Sequence, residues 1–430
     1  KGRFLDMEVN LFATRNVERI TIMPQTTFNV PNKIDRIVYV KPESPAGDNH
    51  SYSQKRNISL SVISLFSGAM GLDIGLEQAG FKVVYATDVN DTMVNTIKQN
   101  FRELPVFCKD VRELTAEEIL SVTGLKKGEL FLVSGGPPCQ PYSTAGRRLS
   151  IKDPRGSLFM DYVRLIDGLR PRFFVMENVV GLTNARIRHV PWKERNKPDL
   201  LPEEEKGSAF KVVLNEFEKL GYKIIWGVLN AVDYGVPQFR ERLFILGSRD
   251  HENLFLPKPT HFQMHQEESY RWRTLGDAIK HLENDPGEYA VFTEERLKYL
   301  RLVPPGGNWK DLPKDLLPQA MGGAYRSDGG KTGFYRRLSY DEPSPTLVTS
   351  PMHKSTCLCH PKYDRPLSIK EYLAIQQFPD DYILTGSLAE KYEQIGNAVP
   401  VGLAKAVGKA ILATANGSYI INTKRIRGRR

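Results

Sequence analysis

From Ile58 onward the chain alternates between two hydrophobic rhythms. Short, β-branched apolar runs read as buried strands: Leu60–Phe66, Val83–Thr87, Val106–Cys108, Leu130–Ser134, Phe173–Glu177, Tyr222–Leu229 and Leu243–Gly247. Between them, helical spacing marks Leu72–Ala79, Asp91–Asn100, a stretch about Ser157–Gly168, and a helix from Ser208. In that last helix Ala209, Val212, Val213, Phe217 and Leu220 share one face. Strands and helices taken in turn predict an α/β fold, a Rossmann-like doubly wound sheet. Its ligands should gather at the carboxyl ends of the strands.

The alternation stops near Arg249. Residues 250–365 are rich in Pro, Gly and aromatics, and they predict a smaller domain inserted into the α/β unit of 58–249. Helical patterns resume at Ser368–Gln377 and Val401–Ala413, so 366–415 is expected to complete the larger unit. Residues 1–57, with Pro24, Pro31, Pro42 and Pro45, form an N-terminal extension without sustained periodicity, and 416–430 form a basic tail.

Composition adds bounds to this picture. With 40% hydrophobic and 26% charged residues the chain is ordinary globular material. It has no unbroken apolar run of about 18 residues, so no membrane span is expected. The first residue is Lys1, which leaves open whether a targeting peptide preceded it. Four cysteines in 430 residues make no disulfide framework, and a reducing intracellular, cytoplasmic setting is expected. The net charge of +10 favours nucleic acid only mildly, because most of the surplus sits at the two ends. Residues 1–57 carry nine basic against six acidic side chains, and the last eight residues carry five basic and no acid.

Candidate chemistry lies at the predicted strand ends. The first strand runs into Phe66-Ser67-Gly68-Ala69-Met70-Gly71, where glycine lets backbone approach a ligand. Asp88 ends the next strand, where such folds bind ribose hydroxyls. The turn lacks the glycine rhythm suited to a pyrophosphate, which favours a nucleoside without bridging phosphates. A simple tight turn remains the other reading. Asp110 suits an adenine amino group, although taken alone it reads more readily as a helix cap. After the fourth strand, Pro137 and Pro138 stiffen the backbone before Cys139, a thiol poised at the sheet edge. The fifth strand runs four apolar residues straight into Glu177, whose burial would raise its pKa. On an extended chain Gln238, Arg240 and Arg242 point to one face, suited to a base carbonyl or phosphate, or else to a surface ion-pair stripe.

Together these residues resemble the DNA (cytosine-5) methyltransferase family of the bacterial restriction-modification type, over roughly 58–415. The matching pieces are Leu65–Gly71, the Pro137-Pro138-Cys139-Gln140 loop, Glu177-Asn178-Val179 and Gln238-x-Arg240-x-Arg242. They continue with Arg365-Pro-Leu-Ser-x-x-Glu371, Gln377-Phe378-Pro379 and Gly396-Asn397-Ala398-Val399-Pro400. Two positions depart from the pattern: Met70 and Gln377 stand where many members carry glycine. The resemblance implies an S-adenosylmethionine-dependent sheet, with S-adenosyl-L-homocysteine as product, and a smaller target-recognition domain at 250–365. It implies Cys139 as nucleophile toward C6 of a flipped cytosine and Glu177 as partner of N3 and the exocyclic amine. Asn178 would steady the loop, while Arg240 and Arg242 would hold the base carbonyl and the active-site loop. Cofactor contacts are expected from Phe66, Gly68, Gly71, Asp88, Val89, Asp110, Val111, Pro138, Leu158, Asn397 and Ala398.

Double-stranded DNA is the expected partner, with an RNA (tRNA) cytosine-5 methyltransferase of the same fold as the alternative. A cognate restriction endonuclease acting separately is a candidate partner, a monomer is expected, and in a bacterium the protein would be nucleoid-associated. Within 250–365, residues 296–340 carry nine basic against three acidic side chains and three glycine pairs. Arg326 is therefore expected to read bases, and Lys331, Arg336 and Arg337 to meet DNA, as is Gln140 beside the nucleophile. The acidic stretch 252–295 should face away. Cys357-Leu358-Cys359-His360 supplies only three metal-type ligands without a second pair, so no metal is expected. The basic loop from Arg147 to Gly156 could close over DNA or simply stand exposed.

Overall fold

Apolar residues at alternate positions in each strand reach opposite faces of one sheet, and this builds the layers. The computed structural model describes residues 60–138, 157–188, 190–191, 195, 200–326 and 332–417. Seven strands are β1 (Ser61–Leu65), β2 (Lys82–Asp88), β3 (Val106–Cys108), β4 (Leu132–Gly135), β5 (Phe173–Asn178), β6 (Lys223–Asn230) and β7 (Glu241–Ser248). Their spatial order is β3-β2-β1-β4-β5-β7-β6. All neighbours pair in parallel except β7, which is antiparallel to both β5 and β6. The expected doubly wound α/β sheet is present. The reversal of β7 follows from the connection before it, a 3-10 turn with no crossover helix between β6 and β7.

Val62, Leu132, Phe173, Val175, Phe244 and Leu246 point to one face and enter a core shared with the helices of the C-terminal segment. Ile63, Leu65, Val133, Phe174, Met176 and Ile245 point to the other face. Helices α1 (Gly71–Ala79) and α2 (Asp91–Asn100) follow β1 and β2. Two helices flank β4: α3 (Ala116–Thr123), which sequence periodicity missed, and α4 (Ser157–Leu169). α5 (Ser208–Lys219) precedes β6.

Residues 250–365 hold short helices, α6 (Leu275–Ile279), α7 (Glu294–Leu300) and α8 (Leu317–Met321), joined by turns and isolated bridges. Two small apolar clusters lie within it, one built on Phe292, Leu297, Leu300, Cys357 and Cys359, the other on Tyr299, Val303 and Leu312. Burial in the first cluster pushes the Cys357 and Cys359 thiols up, to about 11 and about 12.

The chain then returns to the sheet through α9 (Ile369–Gln376), α10 (Leu388–Asn397) and α11 (Val401–Ala415). α11 lies along α1 in very close approach. A Cβ on Gly71 would meet the Val399 carbonyl at 2.3 Å, and one on Gly75 the Ala404 side chain at 2.4 Å. The stretch Leu388–Ala415 is apolar and long enough to cross a membrane, but it is 61% buried and consists of two helices broken at Ala398–Pro400.

Candidate active site

Five parallel strand ends and the start of β7 converge on one edge, and Phe66, Gly68, Asp88, Glu177 and Arg242 lie along it. Phe66, Gly68 and Met70 all take left-handed backbone, with φ of 56°, 53° and 63°. Such a conformation costs non-glycine residues about 1 kcal/mol or more and persists only where the surroundings enforce it. Here the enforcement is visible. The Gly68 amide donates to Asp88 Oδ2 at 2.9 Å, the Tyr382 hydroxyl donates to the Ala69 carbonyl at 2.9 Å, and the Met70 side chain is fully buried. The second departure from the family pattern, Gln377, also sits at positive φ, 61°, capping α9. Both departures thus fall where glycine would be least strained.

Asp88 ends β2 with one oxygen accepting from Gly68 and the other from the Asn90 amide at 3.0 Å. Burial pushes its carboxyl above the ordinary value. Val89 beside it is 67% exposed, an apolar surface flanked by carboxylates. The register brings β3 alongside, pairing Asp88 with Cys108. Asp110 just beyond β3 is paired with Arg112, which holds its carboxyl below the usual range, and it accepts the Arg112 amide at 2.9 Å. It therefore serves as a turn cap. Val111 is buried, while Leu158 on α4 packs with Phe66 in the same apolar layer. Gly71 packs against Ala398, which draws the exposed Asn397 toward the same turn. A glycine turn, the Asp88 carboxylate and an exposed valine fit S-adenosylmethionine.

The chemistry-bearing side chains lie beside this turn. Asn178 Nδ2 donates to the Pro137 carbonyl at 2.9 Å, tying the proline loop to β5. Pro138 stands exposed; Cys139 and Gln140 lie outside the described residues. Gly136 passes so near Glu177 that a Cβ there would stand 3.2 Å from Oε2. The Glu177 carboxylate pairs with Arg242 Nε at 2.8 Å. Burial pushes its pKa up, while Arg242 and Arg240 pull it down; burial is the larger effect.

Arg240 takes a different place from the one expected of it. It is fully buried, and its guanidinium donates to the carbonyls of Leu347 at 3.0 Å and Gly396 at 2.8 Å. It ties the returning chain to the sheet. Gln238, also fully buried, accepts from the Leu347 amide and donates to Gln376 Oε1 at 3.0 Å. The stripe Gln238, Arg240, Arg242 therefore splits, with two residues holding the fold and one facing Glu177.

The DNA-facing expectations divide as well. Arg326 is exposed and ends a 3-10 turn. Lys331 and the loop Arg147–Gly156 lie outside the described residues. Arg336 is half-buried and donates to the Cys357 carbonyl at 3.1 Å. Arg337 is a correction. Its Nε donates to Val303, Nη1 to His360 and Tyr363, and Nη2 to Leu300 and Asp364. A guanidinium has five N–H donors, and all are taken inside the fold, leaving none for a phosphate. The Arg365–Glu371 motif is likewise internal, a buried two-pronged pair at 2.8 and 2.7 Å that fastens segment 357–366 to α9.

Sequence reasoning missed the buried hydroxyls and the carboxylate beneath the edge, Ser64, Asp73 and Ser134. The one linear signal was an acid, Asp73, set between Leu72 and Ile74 within the apolar first turns of a helix.

The C-5 cytosine-specific DNA methylase family model matches residues 60–413. The type II methyltransferase M.PspPI of Psychrobacter sp. is 37% identical over 368 residues, spanning 84% of this chain and 80% of that one. M.Sau96I of Staphylococcus aureus is 36% identical over 362 residues, spanning 84% and 78%. Among solved structures, a DNA modification methyltransferase encoded within an E. coli prophage superposes with a TM-score of 0.57 at 24% identity. It covers 83% of this chain and all of its own. The Entamoeba histolytica methyltransferase EhMeth gives 0.54 at 18% identity, covering 82% and 97%, a likeness of fold alone. Matched by the family model over nearly all its described residues, the chain belongs to the C-5 cytosine-specific DNA methylases and is a DNA cytosine-5 methyltransferase.

Proposed function

We propose that the protein methylates C5 of a flipped-out cytosine within a specific double-stranded DNA sequence, through a covalent bond between Cys139 and C6. The observation that carries this reading is the Glu177–Arg242 pair, packed against the proline loop that leads to Cys139. A base inside a duplex is out of reach of an enzyme thiol, so it must leave the stack, at a cost of a few kcal/mol. The Cys139 thiolate then adds to C6. Glu177, whose burial favours the protonated form, hydrogen-bonds N3 and the exocyclic amine and offsets the charge that develops on the ring. Arg242 orients Glu177 and faces the base carbonyl. The Phe66–Gly71 turn, Asp88 and Val89 would hold S-adenosylmethionine, which would supply an electrophilic methyl group, with S-adenosyl-L-homocysteine as the product. Once methylated, C5 gives up its proton to a solvent base, and the electron pair of that C–H bond re-forms the C5–C6 double bond as the C6–sulfur bond breaks to return the thiolate.

Residues 250–365 act in this reading as the target-recognition domain, with Arg326 on the DNA side and Arg337 inside. The protein works as a monomer in the cytoplasm, on the nucleoid, and a separate endonuclease of matching specificity is its natural counterpart. Bisulfite sequencing of plasmid DNA from expressing cells tests the reading, beside an assay offering duplex DNA and tRNA. One fully converted sequence context in the plasmid supports it. Label entering only tRNA would overturn it.

A further inference from the structure

We propose that Asp73 is a positioning residue whose single buried carboxylate aligns the cofactor turn with the nucleophile loop. Asp73 stands in the first turn of α1, 1% exposed. Its Oδ2 accepts from Ser64 Oγ at 2.7 Å and its Oδ1 from Ser134 Oγ at 2.8 Å. The two serines are register partners on β1 and β4. Ser64 lies two residues before the strained turn at Phe66, and Ser134 two before Gly136 and the prolines. With its one proton given to Asp73, Ser64 accepts from Ser67 Oγ at 2.8 Å, and Ser67 Oγ in turn accepts the Thr87 amide at 3.2 Å, next to Asp88. One chain of hydrogen bonds thus runs from the ribose-binding end of β2, through the turn, to the loop that carries Cys139.

Among the described residues no cation pairs with Asp73. A buried carboxylate without a cation is costly, and an apolar side chain would serve packing alone more cheaply. What the carboxylate adds is two acceptors fixed on one rigid group. Ionised, the carboxylate accepts from both hydroxyls; protonated, one of its oxygens becomes a donor, so one serine must turn its own proton elsewhere and the symmetric bridge is lost. Burial raises the Asp73 pKa to about 6, and Glu77 on the same helix adds to the rise. Tyr382, whose hydroxyl binds Ala69, is the other titratable group acting nearby.

The test uses the full chain and the variants Asp73→Asn, Ser64→Ala and Ser134→Ala, each checked for folding by thermal melt. Asparagine keeps size and polarity but accepts through one oxygen only. S-adenosylhomocysteine binding is read by calorimetry without DNA, and the Cys139 arm by the rate of adduct formation with 5-fluorocytosine duplex. Ser64→Ala should act mainly on binding and Ser134→Ala mainly on adduct rate, each by about tenfold, while Asp73→Asn lowers both. Wild-type affinity should fall below about pH 6, and the Asp73→Asn variant should lose that dependence. Wild-type values in folded Asp73→Asn, or equal losses of both quantities in both serine variants, would overturn the proposal. The second arm rests on Cys139 as nucleophile. If the wild type forms no adduct that assignment fails, while the binding arm and its pH profile still decide the role of Asp73.

Discussion

Arg242 and Glu177 meet at 2.8 Å across the antiparallel step between β5 and β7. β5 ends at Asn178 and β7 begins at Glu241, so a strand end and a strand start share the catalytic edge. Removing the guanidinium leaves a buried carboxylate without its main counter-charge, and its pKa climbs further. Arg242→Ala should therefore lower single-turnover methylation by at least 100-fold, with S-adenosylhomocysteine affinity within threefold of wild type, on the order of 3 kcal/mol in the barrier. Loss of cofactor binding to the same degree would show that the pair supports the fold and not the reaction.

Cys139→Ala should abolish methyl transfer while duplex and cofactor binding stay measurable. Wild-type protein should form a denaturation-resistant complex with 5-fluorocytosine DNA, because fluorine blocks the last proton loss. Turnover by the alanine variant, or no such complex from wild type, counts against the assignment.

Asp88→Ala should weaken S-adenosylmethionine binding by about 1–3 kcal/mol, since it removes both the ligand's acceptor and the carboxylate that receives the Gly68 and Asn90 amides. Calorimetry on the apo protein measures this directly. An unchanged affinity would reduce Asp88 to a strand-end cap.

Arg337→Ala and Arg326→Ala should separate cleanly. The first breaks five internal hydrogen bonds and should cost about 2–4 kcal/mol of stability, read by denaturant titration. The second should leave the melting temperature unchanged and relax discrimination against single mismatches by about 1–3 kcal/mol. Arg337→Ala with native stability but a flattened salt dependence of DNA binding would restore it to the DNA-facing surface.

Asp73 also makes a prediction about stability. Its folded pKa of about 6 lies above the usual aspartate value, so the folded state holds this proton longer than the unfolded chain. Stability from this group is highest below pH 4 and declines as pH rises through 6, by roughly 3 kcal/mol over that window. The difference in unfolding free energy between wild type and Asp73→Asn should carry this slope. A pH-independent difference would show that the proton is not held.

Much of the fold was legible because strands buried on both faces leave continuous apolar runs, and their ends coincide with the chemical residues. α3 escaped because it is short and only Ala116 and Ile119 in it are buried, too few to set a period. α10 had a readable start, Ser387 with Glu390 in a reciprocal cap, though its Gly396-Asn397 end reads as a loop. Arg337 misled because local charge counts do not distinguish a surface cation from one folded inward. Alternation put Arg240 and Arg242 on one side of an extended chain, but it could not tell that carbonyls of Leu347 and Gly396 would claim the first. The role of Asp73 was unreadable for a deeper reason. Its partners stand on two strands, one of them far along the chain, and no linear spacing encodes that meeting.

The parallel embrace of α1 by α11 also sets an order of events during synthesis. The helix that opens the cofactor turn finds its packing partner only when nearly the whole described chain has left the ribosome. Until then Gly71 and Gly75 face empty space where Val399 and Ala404 will lie. A nascent or prematurely terminated chain should therefore be silent, unable to modify the genome that encodes it before α11 has been made.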